Sequence, residues 1–180
     1  DEDGFSIGGV LFGLFRPEET TFTEETALLT AESNEIGVFG FFNVPYGHWI
    51  VRELKPAPAF VLNETLYPVT ISEQEETIEI TAENRYITGA VQTTKVDAAY
   101  PGNKLSGAVF EVYVDVDGNR EFDAAIDRPA GKLAETEPGI YRLDGLRYNG
   151  YFLHEAASPE GFLPDEGYYY FEIREDGKTV

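Results

Sequence analysis

Five oxygen-bearing side chains lie close together in Asp115-Val116-Asp117-Gly118-Asn119, Asp123 and Asp127. Asp115, Asp117, Asn119 and Asp123 offer hard oxygens at the alternating positions from which a calcium loop draws its ligands. The pattern is imperfect, because Gly118 falls two places early and Ile126 stands where the closing glutamate belongs. An acidic hairpin turn on Asp117-Gly118 explains the same residues, so no metal is assigned from the sequence. With no cysteine there are no disulfides, thiol nucleophiles or thiolate metal sites, and two histidines are too few for a histidine-rich cage. The 33 acidic residues offer many carboxylate pairs of the kind glycosidases use, but no motif selects one. Tyr168-Tyr-Tyr-Phe171 offers rings for sugar stacking; its composition fits equally a strand with alternate faces buried. Trp49 alternates with Val51 and Glu53 and is predicted to be core.

The elements that must position these residues repeat along the chain. Gly8–Phe15 resembles Ser106–Tyr113, 98 residues later. Trp49–Glu53, Pro58–Phe60 and Tyr67–Ile71 resemble Tyr151–Glu155, Glu160–Phe162 and Tyr169–Ile173, each 102 residues later. Order and offset are kept together, which predicts two tandem copies of one domain, 1–88 and 89–180, with the seam near Ile87–Gly89. Apolar and β-branched runs bounded by Gly, Pro, Asn and Asp predict strands at Val10–Phe15, Val38–Phe42, Trp49–Leu54, Leu66–Ile71 and Thr77–Thr81. In the second copy they fall at Ala108–Val114, Ile140–Leu143, Tyr151–Glu155 and Tyr168–Ile173. Alternation in Thr77–Thr81 places Ile78 and Ile80 on one face. Helical periodicity is absent. The expected class is all-β: two tandem small Greek-key sandwiches, Ig-like or prealbumin-like.

Composition narrows the function. The 180 residues carry 13 basic and 33 acidic side chains, a net charge of −20, and both halves are acidic. Nucleic acids and anionic membrane surfaces need a basic footprint, so neither is an expected partner. No apolar run reaches the length of a spanning helix.

Ordered blocks then carry a family resemblance. Copy two reads Lys95-Val-Asp97, Leu105-Ser-Gly-Ala-Val-Phe-Glu-Val-Tyr113, Gly139-Ile-Tyr141 and Glu155-Ala-Ala-Ser-Pro-Glu-Gly-Phe162. Copy one reads Gly9-Val-Leu-Phe12, Val44-Pro-Tyr-Gly47 and Glu53-Leu-Lys-Pro-Ala-Pro-Ala-Phe60. The set resembles the CnaB-like or SpaA-like (B-type, prealbumin-like) repeats of Gram-positive adhesins and pilins. The resemblance implies a cell-surface stalk module, cell-wall attached. It also implies a spontaneous Lys–Asn isopeptide bond between first and last strands, assisted by a buried Glu. Matched position by position, Lys95 is the nucleophile of copy two, Glu53 and Glu155 are the assisting acids, and Asn84 is the acceptor of copy one.

Two matches are missing. The only lysine of copy one is Lys55, just past Glu53, and the equivalent of Lys95 falls at or before position 1. The equivalent of Asn84 falls six residues past Val180. The expectation is therefore that copy one lacks its N-terminal strand and copy two its C-terminal strand. The 180 residues alone should form neither bond. The function implied is structural, with no cofactor, no turnover and only a single autocatalytic cross-linking event. Its partners would be neighbouring repeats of the same surface protein. The alternative is a module binding carbohydrate or host matrix protein through its aromatic faces or the Asp115 loop.

Overall fold

The computed structural model describes all 180 residues, which fall into two compact units, Asp1–Tyr86 and Ile87–Val180. No helix forms, so none is long and apolar enough to cross a membrane.

In unit 1, β1 (Leu11–Phe15), β2 (Leu29–Glu32), β3 (Gly47–Lys55) and β4 (Tyr67–Ile71) build one antiparallel sheet in the order β2-β1-β3-β4. Alternation makes it two-faced. Phe12, Leu14, Trp49 and Val51 are buried on the core side, where Phe39 stacks on Phe12 at 3.8 Å. Trp49 is core, and its indole N–H donates to the Pro45 carbonyl at 3.0 Å.

Unit 2 continues with β5 (Thr88–Thr94), β6 (Val109–Val114), β7 (Arg128–Lys132), β8 (Ala134–Glu137), β9 (Ile140–Arg147), β10 (Asn149–Ala157) and β11 (Tyr168–Ile173). Its first sheet, β11-β10-β6-β7, repeats the order of unit 1 strand for strand. A second sheet, β5-β9-β8, closes the sandwich over Val91, Phe110, Val112, Tyr141, Tyr151 and Ile173. Beyond β11 the chain returns to β5. Thr179 pairs in parallel with Ala90, and the Gln92 N–H donates to the Val180 carbonyl at 2.8 Å. The approach is close: a Cβ on Gly89 would stand 2.7 Å from the Lys178 carbonyl oxygen.

Two expected strands do not form. Val38–Phe42 and Thr77–Thr81 belong to no sheet, and Ile78 is exposed while Ile80 packs on the core, so they do not share a buried face. In unit 2, β5 lies between β9 and the Lys178–Val180 segment and bonds to both. Unit 1 has no strand in the place of β5. Its two outer segments instead wall a cleft of about 1170 Å³ floored by Leu14, Val51, Val69 and Ile71. A strand without a neighbour has no ladder to join, whatever its composition.

Candidate functional site

Each unit holds one buried glutamate on the strand next to its central strand. Glu53, in β3, is 1% exposed because residue alternation turns it to the core with Trp49 and Val51. Its carboxylate oxygens both accept from Asn84 Nδ2 at 2.9 Å. Asn84 is itself buried and also donates to the Val61 carbonyl at 3.1 Å. Burial pushes the Glu53 carboxyl above its ordinary value, opposed by the hydrogen bonds from Asn84 and from the Asn63 backbone. A cleft of about 850 Å³ bordered by Glu2, Asn63 and Tyr67 opens beside Asn84.

Glu155, in β10, occupies the matching place in unit 2. Its Oε2 accepts from Lys95 Nζ at 2.7 Å and from the Asp165 N–H at 2.8 Å. The Lys95 side chain is 18% exposed and that of Glu155 only 2%. Glu155 Oε1 is buried without a hydrogen-bond partner.

The two sites are therefore complementary halves. Unit 1 joins acid to amide, and unit 2 joins acid to amine. Glu53 and Glu155 each contact the residue with which the sequence groups them. Lys55 is exposed at the end of β3. Chemically, a buried carboxyl against an amide nitrogen is placed to protonate that nitrogen as it leaves, and one against an amine is placed to take its proton.

The raised Glu53 value has a testable consequence. A carboxyl whose folded pKa exceeds its unfolded one adds stability at pH values below about 4.5, and that contribution is lost as pH rises through the folded value. Glu53→Gln should remove this dependence. Trp49 is the single tryptophan, so its emission follows unit 1. The wild-type unfolding midpoint minus that of Glu53→Gln should fall as pH is raised from 4.5 towards neutrality; a difference constant with pH would refute the assignment.

The acidic loop is arranged differently from its sequence pattern. Asp115, Asp117 and Asp127 bring one carboxylate oxygen each within 4.8 Å of one another. Asp123 is outside this group, its Oδ1 accepting from the Ala125 backbone, while Asn119 Oδ1 accepts from the Glu121 backbone and its Nδ2 donates to Asp117 Oδ2 at 2.9 Å. In the tyrosine run, Tyr169 is 55% exposed while the neighbouring rings pack against other side chains. Tyr168 is stacked between Phe122, at 3.7 Å, and His154, at 4.2 Å, and Tyr170 packs edge-on to Phe152.

Unit 2 sets a four-stranded sheet against a three-stranded one, and unit 1 repeats the four-stranded sheet. The chain belongs to the SpaA family of prealbumin-like fold domains, whose model matches residues 1–86 and 89–180. Among solved structures, the TIE protein of Bacillus anthracis shares 22% identity with a TM-score of 0.81, over 99% of this chain and 31% of its own. The chain thus spans about a third of that protein. A streptococcal ancillary pilin shares 21% identity with a TM-score of 0.42, over 100% of this chain and 58% of its own. The minor pilin GBS52 of Streptococcus agalactiae shares 21% identity with a TM-score of 0.38, over 98% of this chain and 81% of its own. No protein of curated function matches.

Proposed function

We propose that the chain is a pair of structural stalk modules of a Gram-positive cell-wall surface protein, adhesin or pilin, and not a turnover enzyme. In the parent protein each module is locked by one Lys–Asn isopeptide bond. The observation that carries this reading is the orphan oxygen of Glu155. In unit 1 the Asn84 amide nitrogen contacts both carboxylate oxygens, whereas in unit 2 Lys95 uses one and the other has no partner. An asparagine amide beside Lys95 would fill that vacancy and meet its nucleophile.

The reaction balances without a cofactor. The neutral Lys Nζ attacks the amide carbon, the glutamate relays the proton of the amine to the departing nitrogen, and one ammonia leaves as the C–N bond forms. Fixed geometry supplies the effective concentration. Chain direction supports the missing positions as well. The parallel pairing of Thr179 with Ala90 runs along β5 towards Lys95, so residues carried onward in that ladder reach it. A strand in the unit 1 cleft would bring an amine to Asn84 in the same way. Its partners are the neighbouring repeats, and its place is the cell surface.

The alternative, a carbohydrate- or matrix-binding module, draws on exposed Ile36, Val38, Phe42 and Tyr46. Val38, Phe42 and Tyr46 line the open cleft, so a completing strand accounts for them without a foreign ligand.

The test appends Glu79–Asn84 of unit 1 after Val180, so that the added asparagine takes the matching place in unit 2. Intact mass should fall below the sequence mass by one ammonia, with a Lys95-to-asparagine cross-linked peptide on digestion. Lys95→Ala and Glu155→Ala should each abolish the loss. A folded extended protein of full mass would sink the proposal.

A further inference from the structure

The Asp115 loop has no part in the cross-link. It joins β6 to β7, and Val114 pairs with Arg128 across that hairpin. Asp115 and Asp127, each one residue beyond this pair, are therefore held facing one another at the foot of the two strands, both almost wholly buried. Asp117 comes over them from the exposed turn. The turn is shaped by Gly118 and Arg120, both at positive φ, 70° and 65°.

The backbone orients these carboxylates without exhausting them. Asp127 Oδ1 accepts from the Val116 N–H at 3.1 Å and Oδ2 from the Asp123 N–H at 2.8 Å. Asp115 Oδ2 accepts from the Arg120 N–H at 3.2 Å. A carboxylate offers about four lone-pair sites, so acceptor capacity remains on each. Asp115 is 2% exposed, yet its Oδ1 has no hydrogen-bond partner at all. A buried ionised oxygen without a partner beside two further carboxylates is costly unless a cation compensates it.

The nearby arginines do not fill that role. Arg120 Nη2 donates to Glu172 at 2.9 Å. Arg128 Nη1 donates to the carbonyls of Ala125, Ile126 and Asp127.

We infer that Asp115, Asp117 and Asp127 form a calcium site that pins the β6–β7 hairpin of unit 2. Three hard oxygens within 4.8 Å of one another fit around an ion whose oxygen ligands stand at about 2.4 Å. No sulfur or imidazole is among the grouped ligands, which disfavours zinc and copper. Magnesium holds about 2.0–2.1 Å octahedral geometry and usually takes one or two carboxylates with phosphate, so a set of three carboxylates favours calcium. Water and loop oxygens complete the shell. The site is particular to unit 2: at the corresponding end of β1, unit 1 has Arg16-Pro17.

The test is calorimetric titration of the whole 180-residue chain with calcium chloride, and separately with magnesium chloride. Thermal unfolding is followed in parallel by circular dichroism and by Trp49 emission. One calcium should bind with a dissociation constant on the order of 0.1–1 mM, the range of extracellular modules, and magnesium at least about tenfold more weakly. Saturating calcium should raise the circular-dichroism midpoint of unit 2 and leave the Trp49 midpoint of unit 1 in place. Asp117→Asn removes the charge of an exposed ligand with little risk to folding and should weaken binding about tenfold or more. Asp115→Asn should raise the calcium-free midpoint by relieving the unpaired charge, and abolish the calcium response. Absence of calcium heat, equal affinity for magnesium, or an Asp117→Asn variant that binds as wild type would each overturn the inference.

Discussion

Lys95→Ala will destabilise unit 2 by about 3–5 kcal/mol, the cost of breaking a buried ion pair by removing one partner. The size of the effect comes from what is left behind. Glu155 Oε2 would keep only the Asp165 N–H, and Oε1 already has no partner, so a carboxylate with a 2% exposed side chain would lose its only cation. The domain can avoid this only by admitting water, which costs packing in the core. Replacing both members, Lys95→Met with Glu155→Gln, should recover most of the loss, because the Gln carbonyl still accepts from the Asp165 N–H and no charge is stranded. Urea unfolding followed by circular dichroism measures both variants, and the double-mutant cycle gives the coupling. A single-variant loss under about 1 kcal/mol would mean that the pair behaves as a surface salt bridge, and the nucleophile assignment would lose its physical basis. For a domain of this size, 3–5 kcal/mol is a large share of total stability.

Much of this arrangement was legible from the residues. The repeated blocks placed Glu53 and Glu155 at matched positions, the family resemblance implied a buried glutamate there, and both side chains are buried. The strands read most clearly, β1, β3, β6 and β10, are central and buried on at least one face, so their apolar content is high. Those missed are β2, β5, β7 and β8. The edge strands β7 and β8 read Arg-Pro-Ala-Gly-Lys and Ala-Glu-Thr-Glu and are largely exposed, so burial imposes no apolar pattern on them. β5 is central, but its buried residues are Gly89, Ala90 and Val91, small because the Lys178–Val180 segment passes so close. The opposite error arose at Val38–Phe42 and Thr77–Thr81, where the residues suit a sheet and the neighbouring strand is missing. In the acidic loop, the approach of Asp127 to Asp115 and Asp117 depends on the Val114–Arg128 pairing, which linear spacing does not contain.

The second large effect falls on Tyr141, the residue that ties the two sheets of unit 2 together. It lies in β9, 1% exposed, with its ring packed edge-on to Phe110 of the facing sheet at 5.0 Å. Its hydroxyl donates to the Leu105 carbonyl at 3.1 Å and accepts from the Ala108 N–H at 3.0 Å. The ring fills the core while the hydroxyl serves two backbone groups of the segment leading into β6. Tyr141→Phe keeps the ring and leaves the buried Ala108 N–H unpaired, which should cost about 1–3 kcal/mol. Tyr141→Ala adds the cavity of a large aromatic and should cost about 3–5 kcal/mol or more. The order of the two variants separates packing from hydrogen bonding, and their difference measures the ring alone. Both should shift the circular-dichroism transition of unit 2 and leave the Trp49 transition of unit 1 unchanged. Equal losses for Phe and Ala would assign the effect to the hydroxyl. A Trp49 transition moving in step would show that the two units do not unfold separately. Unit 1 provides the comparison within the same chain: the counterpart of β9 there is the Val38–Phe42 segment, which joins no sheet and borders an open cleft.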